Sequence, residues 1–108
     1  LRAELEDFHR RYPEKPIMLG EYGADTIAGL HDLNARLFTE EYQTEFMKTY
    51  GKVFDSLNFI TGEHVWVFAD FATAENIKRV DGNKKGIFTR DRRPKQAAFF
   101  LKERWKEK

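Results

Sequence analysis

The chain has 108 residues, enough for one small domain with a modest core. Hydrophobic residues at 41% and charged residues at 34% exclude a disordered chain, and a net charge of +1 provides no global field to draw in nucleic acid or membrane. The absence of cysteine excludes disulfides and thiolate metal sites in this stretch, and no run approaches the ~18 apolar residues of a membrane span.

The opening Leu1-Arg2-Ala3-Glu4-Leu5 has neither the basic nor the apolar region of a signal peptide, and it reads as the interior of a helix in a longer chain. Leu1, Leu5, Phe8 and Tyr12 recur at helical spacing until Pro13 and Pro16 end the pattern. Pro16-Ile17-Met18-Leu19-Gly20-Glu21 then predicts a buried strand closed by a carboxylate. Residues 22–39, carrying Gly23, Asp25, Gly29, Asp32 and Asn34, predict a long loop of the kind that usually serves function.

Thr39-Glu40-Glu41 predicts a capped helix start with acidic residues in the first turn. Its apolar stripe is Tyr42, Phe46, Met47, Tyr50, Val53, Phe54 and Leu57, interrupted by Gly51 at a cost of about 1 kcal/mol against Ala. Val65-Trp66-Val67-Phe68 predicts a second strand, apolar on both faces and ending at Ala69-Asp70. After a long connection over residues 71–93, Pro94 marks the start of a third helix, with Ala97, Phe100, Leu101 and Trp105 as its buried stripe.

The order helix, strand, helix, strand, helix, without polar alternation in the strands, predicts an α/β fold with a parallel sheet. Two strands make no self-sufficient sheet. Loops that are long after each strand and shorter before the second match the asymmetry of a (β/α)₈ TIM barrel. Residues 1–108 are thus expected to be a partial barrel domain, roughly its C-terminal third: the last two β/α units plus the preceding helix.

Glu21 stands at the C-terminal end of a strand, the face on which barrel enzymes place catalysis. The plainer alternative is a Glu that caps a helix or pairs with an Arg. Asp70 holds the matching place after the second strand, and two carboxylates across a cleft suit glycoside hydrolysis. A loop-organising Asp is the commoner role. Trp66 offers either an apolar floor for a sugar ring or a core contact. Asn83 and Lys85, two apart between Gly82 and Gly86, either bind an anion together or form an exposed turn. Lys84, Lys85, Arg90, Arg92, Arg93 and Lys95 form a basic run that reads as a solvated loop rather than a nucleic-acid patch. His9, His31 and His64 show no zinc spacing, and no G-x-G-x-x-G or P-loop is present, so no cofactor is expected.

Glu21-Tyr22-Gly23, Trp66-Val67-Phe68-Ala69-Asp70-Phe71 and Gly82-Asn83-Lys84-Lys85-Gly86-Ile87-Phe88-Thr89-Arg90 resemble the β-glucuronidases of glycoside hydrolase family 2. Thr26-Ile27-Ala28-Gly29, Thr39-Glu40-Glu41-Tyr42-Gln43 and Arg92-Arg93-Pro94-Lys95 extend the resemblance, in the family's order, from about Pro16 to Trp105. It implies a retaining hydrolase of β-D-glucuronides, with Glu21 as nucleophile. It further implies Asn83 and Lys85 as the recognition pair for the sugar carboxylate, Trp66 lining the sugar subsite, and Arg79 near that carboxylate. A homotetrameric parent is implied too, with a β-glucuronide as its partner and neither nucleic acid nor membrane.

Two departures stand out. The family's acid/base lies in an Asn-Glu-Pro-like stretch that is absent here. This displaces Asp70 as the second carboxylate and predicts that the 108 residues alone are inactive. Val67 replaces an Asn common in these enzymes, at a position expected to face away from Trp66. Relatives acting on galacturonides or galactosides, and a non-catalytic carbohydrate-binding remnant, remain the alternatives.

Overall fold

Parallel pairing of two short strands organises the molecule. In the computed structural model, which describes residues 1–107, the elements run α1 (Arg2–Arg11), β1 (Ile17–Tyr22), α2 (Glu40–Asp55), β2 (Ile60–Val65) and α3 (Gln96–Lys106). Strands β1 and β2 pair in parallel, with Ile17 opposite Ile60, Leu19 opposite Glu63 and Tyr22 opposite Val65. Parallel neighbours need a crossover, and α2 supplies it. The loops obey the predicted asymmetry: residues 23–39 and 66–95 follow the strands, while only residues 56–59 precede β2.

The second strand lies earlier than the sequence suggested. It ends at Val65, and the Trp66–Val67 peptide is cis. The backbone explains the shift of pairing. Trp66 N–H donates to Tyr22 O at 2.8 Å, the last bond to β1. Beyond it, Val67 N–H donates to Lys85 O, and Ile87 and Phe88 N–H donate to Val67 O and Phe68 O. Residues 67–70 therefore pair with residues 85–88, not with β1. The expected burial of both strand faces is also corrected. Met18, Trp66 and Phe68 are 54%, 39% and 62% exposed, Met18 beside Phe8 and Tyr12, Trp66 in the hollow that Glu21 lines, and Phe68 in the hollow along α3.

The core lies where α2 and α3 pack together, over Leu5, Tyr22, Met47, Phe54, Leu57, Ile87, Ala97 and Leu101. The stripes are narrower than their apolar spacing implied. Phe8 and Tyr12 of the first pattern are over half exposed beside Met18, in an open hollow at the start of β1. Trp105 is 46% exposed, with its indole N–H donating to Glu63 Oε1 at 2.9 Å. Helix α3 also starts two residues later than Pro94, with Lys95 as its N-cap.

Helix α2 begins as predicted. Thr39 is the N-cap, and its hydroxyl oxygen accepts from Tyr42 N–H at 3.1 Å, a bond typically worth about 1 kcal/mol. The acidic first turn then fastens the preceding loop. Glu40 accepts from Gly29 N–H at 2.7 Å and from Gln96 N–H at 2.6 Å, joining that loop to the start of α3. Glu41 accepts from Asp32 N–H at 2.6 Å and lies 2.6 Å from His31 Nδ1.

Gly51 has a reason that propensity alone hides. The Arg104 guanidinium lies against the helix there, so a Cβ at position 51 would sit 2.9 Å from its Nη1. That guanidinium is not free to move aside. Two bonds of 2.7 Å run to Glu63, and two of 2.9 and 3.0 Å run to Asp55. Gly51→Ala is therefore expected to lower the thermal midpoint, although Ala is the better helix former. In an Arg104→Ala background the same change should raise stability, by about 1 kcal/mol. Thermal denaturation of the four variants reads the sign reversal.

The His31–Glu41 contact generates a pH prediction. Bonding to Glu41 raises the His31 pKa above its ordinary 6.5, so its stabilisation is full below that value and fades as pH rises through the raised pKa. Bonding to His31 lowers the Glu41 pKa below its ordinary 4.5, so its share is full above 4.5 and fades as pH falls through the lowered value. The difference in thermal midpoint between wild type and His31→Gln should thus be largest between about pH 4.5 and 6.5. An NMR titration should place His31 above 6.5 and return it toward that value in Glu41→Gln.

Candidate active site

Alternation along β1 separates two neighbours. Tyr22 turns inward, 6% exposed, stacked on Tyr50 at 5.5 Å and edge-on to Phe54 at 5.2 Å. Among the described residues its hydroxyl has no hydrogen-bond partner, and burial pushes the phenol well above its usual range. Glu21 instead is exposed, and among the described residues its carboxylate makes no hydrogen bond or ion pair. The helix-capping and Arg-pairing alternatives therefore have no contact to support them.

Glu21 faces a cleft of about 260 Å³, with Trp66 and Lys85 in the same lining and Leu19, Phe46 and Tyr50 as apolar wall. Its floor is tight: a Cβ on Gly23 would meet Trp66 O at 2.1 Å, so only glycine lets the two strand ends approach there. The Trp66 ring is held edge-on by Phe71 at 6.2 Å. The Lys85 ammonium, like the Glu21 carboxylate, has no ion-pair partner among the described residues. The fold thus brings together an unpaired carboxylate, an unpaired ammonium and an indole. Larger hollows of about 840 and 620 Å³ along β2 and α3, and of about 360 Å³ at the start of β1, include neither Glu21 nor Lys85.

Asn83 lies behind Lys85 and outside the cleft lining. It is buried, and its Oδ1 accepts from Lys85 N–H at 2.9 Å, which leaves its NH₂ as donor. Its backbone pairs with Phe71 in both directions. Arg79 is not brought into the cleft. Its guanidinium donates to Asp25 Oδ2 at 2.8 Å, while Asp25 Oδ1 accepts from Lys84 N–H at 3.1 Å. Asp70 is 7% exposed, and its Oδ1 accepts from Gly86 N–H and from the Lys95 ammonium, each at 2.9 Å. This is the loop-organising Asp, occupied from within the protein.

The basic run divides among separate duties. Lys84 pairs with Asp81, Arg93 with Asp91, and Arg92 lies over the Phe68 ring. Lys95 is buried, a placement that composition gave no reason to expect. Sequence reasoning also missed Gln43. It is fully buried on α2, with its amide N–H₂ donating to Gly86 O at 3.0 Å and Ala24 O at 3.4 Å. Among the described residues, no group of three or more His, Asp or Glu side chains could hold a metal ion.

Comparisons with known proteins place this arrangement in a family. Residues 1–108 match the family described as glycosyl hydrolases family 2, TIM barrel domain. A β-glucuronidase of Paenibacillus borealis is 55% identical over 104 residues, covering 96% of this chain and 17% of that protein. The β-glucuronidase of Rattus norvegicus is 48% identical over 107 residues, covering 97% and 16%. Among solved structures, the β-D-glucuronidase of Dictyoglomus thermophilum superposes with a TM-score of 0.95 at 51% identity, over 99% of this chain and 18% of that one. The Ruminococcus gnavus β-glucuronidase in complex with D-glucuronic acid gives 0.92 at 49%, over 96% and 18%. The chain thus spans less than a fifth of the length of each of these relatives. Its parallel β-strands and crossover helix are those of a segment of a TIM-barrel domain, and the chain belongs to glycosyl hydrolase family 2.

Proposed function

We propose that the protein carrying this segment is a retaining β-glucuronidase, of which residues 1–108 form the C-terminal third of the catalytic barrel. The observation that carries this reading is the pairing, in one apolar-walled cleft, of a free carboxylate at Glu21 with a free ammonium at Lys85. The relative from Ruminococcus gnavus, solved with D-glucuronic acid, supports the choice of sugar.

Glu21 attacks the anomeric carbon and forms a covalent glycosyl-enzyme, which water then hydrolyses. The acid/base that protonates the leaving oxygen, about 5–5.5 Å from the nucleophile in retaining enzymes, comes from outside these residues. Trp66 offers the less polar sugar face an apolar surface. Lys85 supplies the charge that meets the uronate carboxylate, and Asn83, buried outside the cleft lining, holds the Lys85 backbone through its Oδ1. Arg79, half neutralised by Asp25, adds weaker positive potential. A neutral hexose leaves these donors unpaired and is rejected for that reason.

In the full-length protein, Glu21→Gln should lower glucuronide hydrolysis by roughly 10⁴-fold or more. Lys85→Met should raise KM for the glucuronide by about 10- to 100-fold, the loss of one charged hydrogen bond. Chromogenic β-glucuronide, β-galacturonide and β-galactoside, assayed side by side, read both. Preference for the galactoside would sink the uronate reading, and preference for the galacturonide would move the substrate to the other uronic acid. The purified 108-residue chain should show no hydrolysis, and measurable turnover by it would overturn the proposal that its acid/base lies elsewhere.

A further inference from the structure

The geometry points to Lys95 as a positioning residue that sets where Lys85 stands relative to Glu21 and Trp66. This deepens the proposed uronate specificity and rests on it.

The Lys95 side chain is fully buried, and its ammonium spends all three N–H donors. They reach Thr26 O at 2.7 Å, Asp70 Oδ1 at 2.9 Å and Lys84 O at 3.1 Å. Each acceptor belongs to a different part of the cleft. Thr26 lies five residues after Glu21, Asp70 four after Trp66, and Lys84 immediately before Lys85. One ammonium therefore ties together the three segments that carry the three cleft groups.

Residues 84–87 are held from this side at nearly every polar backbone atom. Lys84 O also accepts from Thr26 N–H, Gly86 N–H donates to Asp70, Gly86 O accepts from Gln43, and Ile87 O accepts from Lys95 N–H. The N–H and C=O of Lys85 are taken by Asn83 and Val67. Only the Lys85 side chain remains uncommitted, so its reach into the cleft is fixed by where this backbone is anchored.

Burial lowers the Lys95 pKa, and the Asp70 hydrogen bond opposes that shift. The ammonium is thus poised by its partners, and losing it leaves a buried Asp70 carboxylate without its cation. The site has no slack to absorb the loss. A Cβ on Gly86 would meet Asp70 N at 2.2 Å, so the segment packs directly on the Asp70 backbone.

The test uses the full-length protein and three variants: Lys95→Met, Asp70→Asn, and the pair combined, which removes both buried charges. Unfolding alone reduces active enzyme and hence apparent kcat, but leaves KM unchanged. Misplacement of Lys85 raises KM for a chromogenic β-glucuronide, by about tenfold or more. In a Lys85→Met background, where no ammonium remains to misplace, the same substitutions should leave KM unchanged. Unaltered KM, or an equal rise in both backgrounds, overturns the inference. If Lys95→Met gives no soluble enzyme, Asp70→Asn, which preserves shape, decides by the same criteria. A wild type that does not hydrolyse the glucuronide removes the proposed activity and this inference together. A wild type that does, with KM indifferent to Lys95 and Asp70, removes the inference alone.

Discussion

The buried contact between Lys95 and Asp70 is the constraint on which the rest of this structure depends. Two strands of six residues give the loops beyond them very little to stand on. Residues 66–95 alone outnumber both strands together, and their isolated bridges are not a sheet. A salt bridge in such a place gives little net stability against an apolar pair of the same shape. What it gives is direction: three acceptors from three segments satisfy one ammonium only in one arrangement. An apolar residue at position 95 would fill the space without specifying which carbonyls gather round it.

A second set of polar contacts repeats the device on α2. Glu40 reaches the 23–39 loop on one side and the first turn of α3 on the other, while Gln43 reaches Gly86 and Ala24. These residues occupy the same buried helix face as Met47 and Phe54. The face that packs α2 on the core at its C-terminal half thus holds the loops beyond the strand ends at its N-terminal half. The change of character runs along the helix, and it places polar anchoring at the strand ends where Glu21 and Trp66 lie.

Local chemistry was legible in the sequence wherever one residue decides one feature. Thr39 caps α2, the prolines follow the end of α1, and Glu21 stands next to last in β1, each for a reason contained within a few positions. The gathering of Glu21, Trp66 and Lys85 was legible only through resemblance, because nothing in their spacing says that residue 85 returns to residue 21. Long-range partners account for what was missed. Val67 and Phe68 look like strand, yet residues 85–88 capture their backbone once Trp66 has made its bond to β1. Lys95 reads as one more base in a basic run, and Gly51 as a helix defect, until Arg104 is seen 53 positions away. Exposure of Phe8, Tyr12 and Trp105 follows the same rule, since a stripe is buried only where something packs on it.

The substitution at position 67 can now be weighed by what its atoms touch. The backbone N–H and C=O of Val67 are both used, toward Lys85 O and from Ile87 N–H, and any residue type could supply them. Its side chain joins Val65, Phe68, Ile87 and Ala98 in the apolar hollow along α3, whereas Trp66 lines the cleft with Glu21. The two neighbours therefore serve different surfaces, although both lie beyond β2 and Phe68 shares the hollow with Val67 instead of alternating with it. Val67 adds apolar contact to this wall, whose polar members among the described residues include Glu63, His64 and Lys102. The departure from the family's usual Asn thus bears on packing beside α3, while Lys85 keeps its backbone anchor to Val67 N–H.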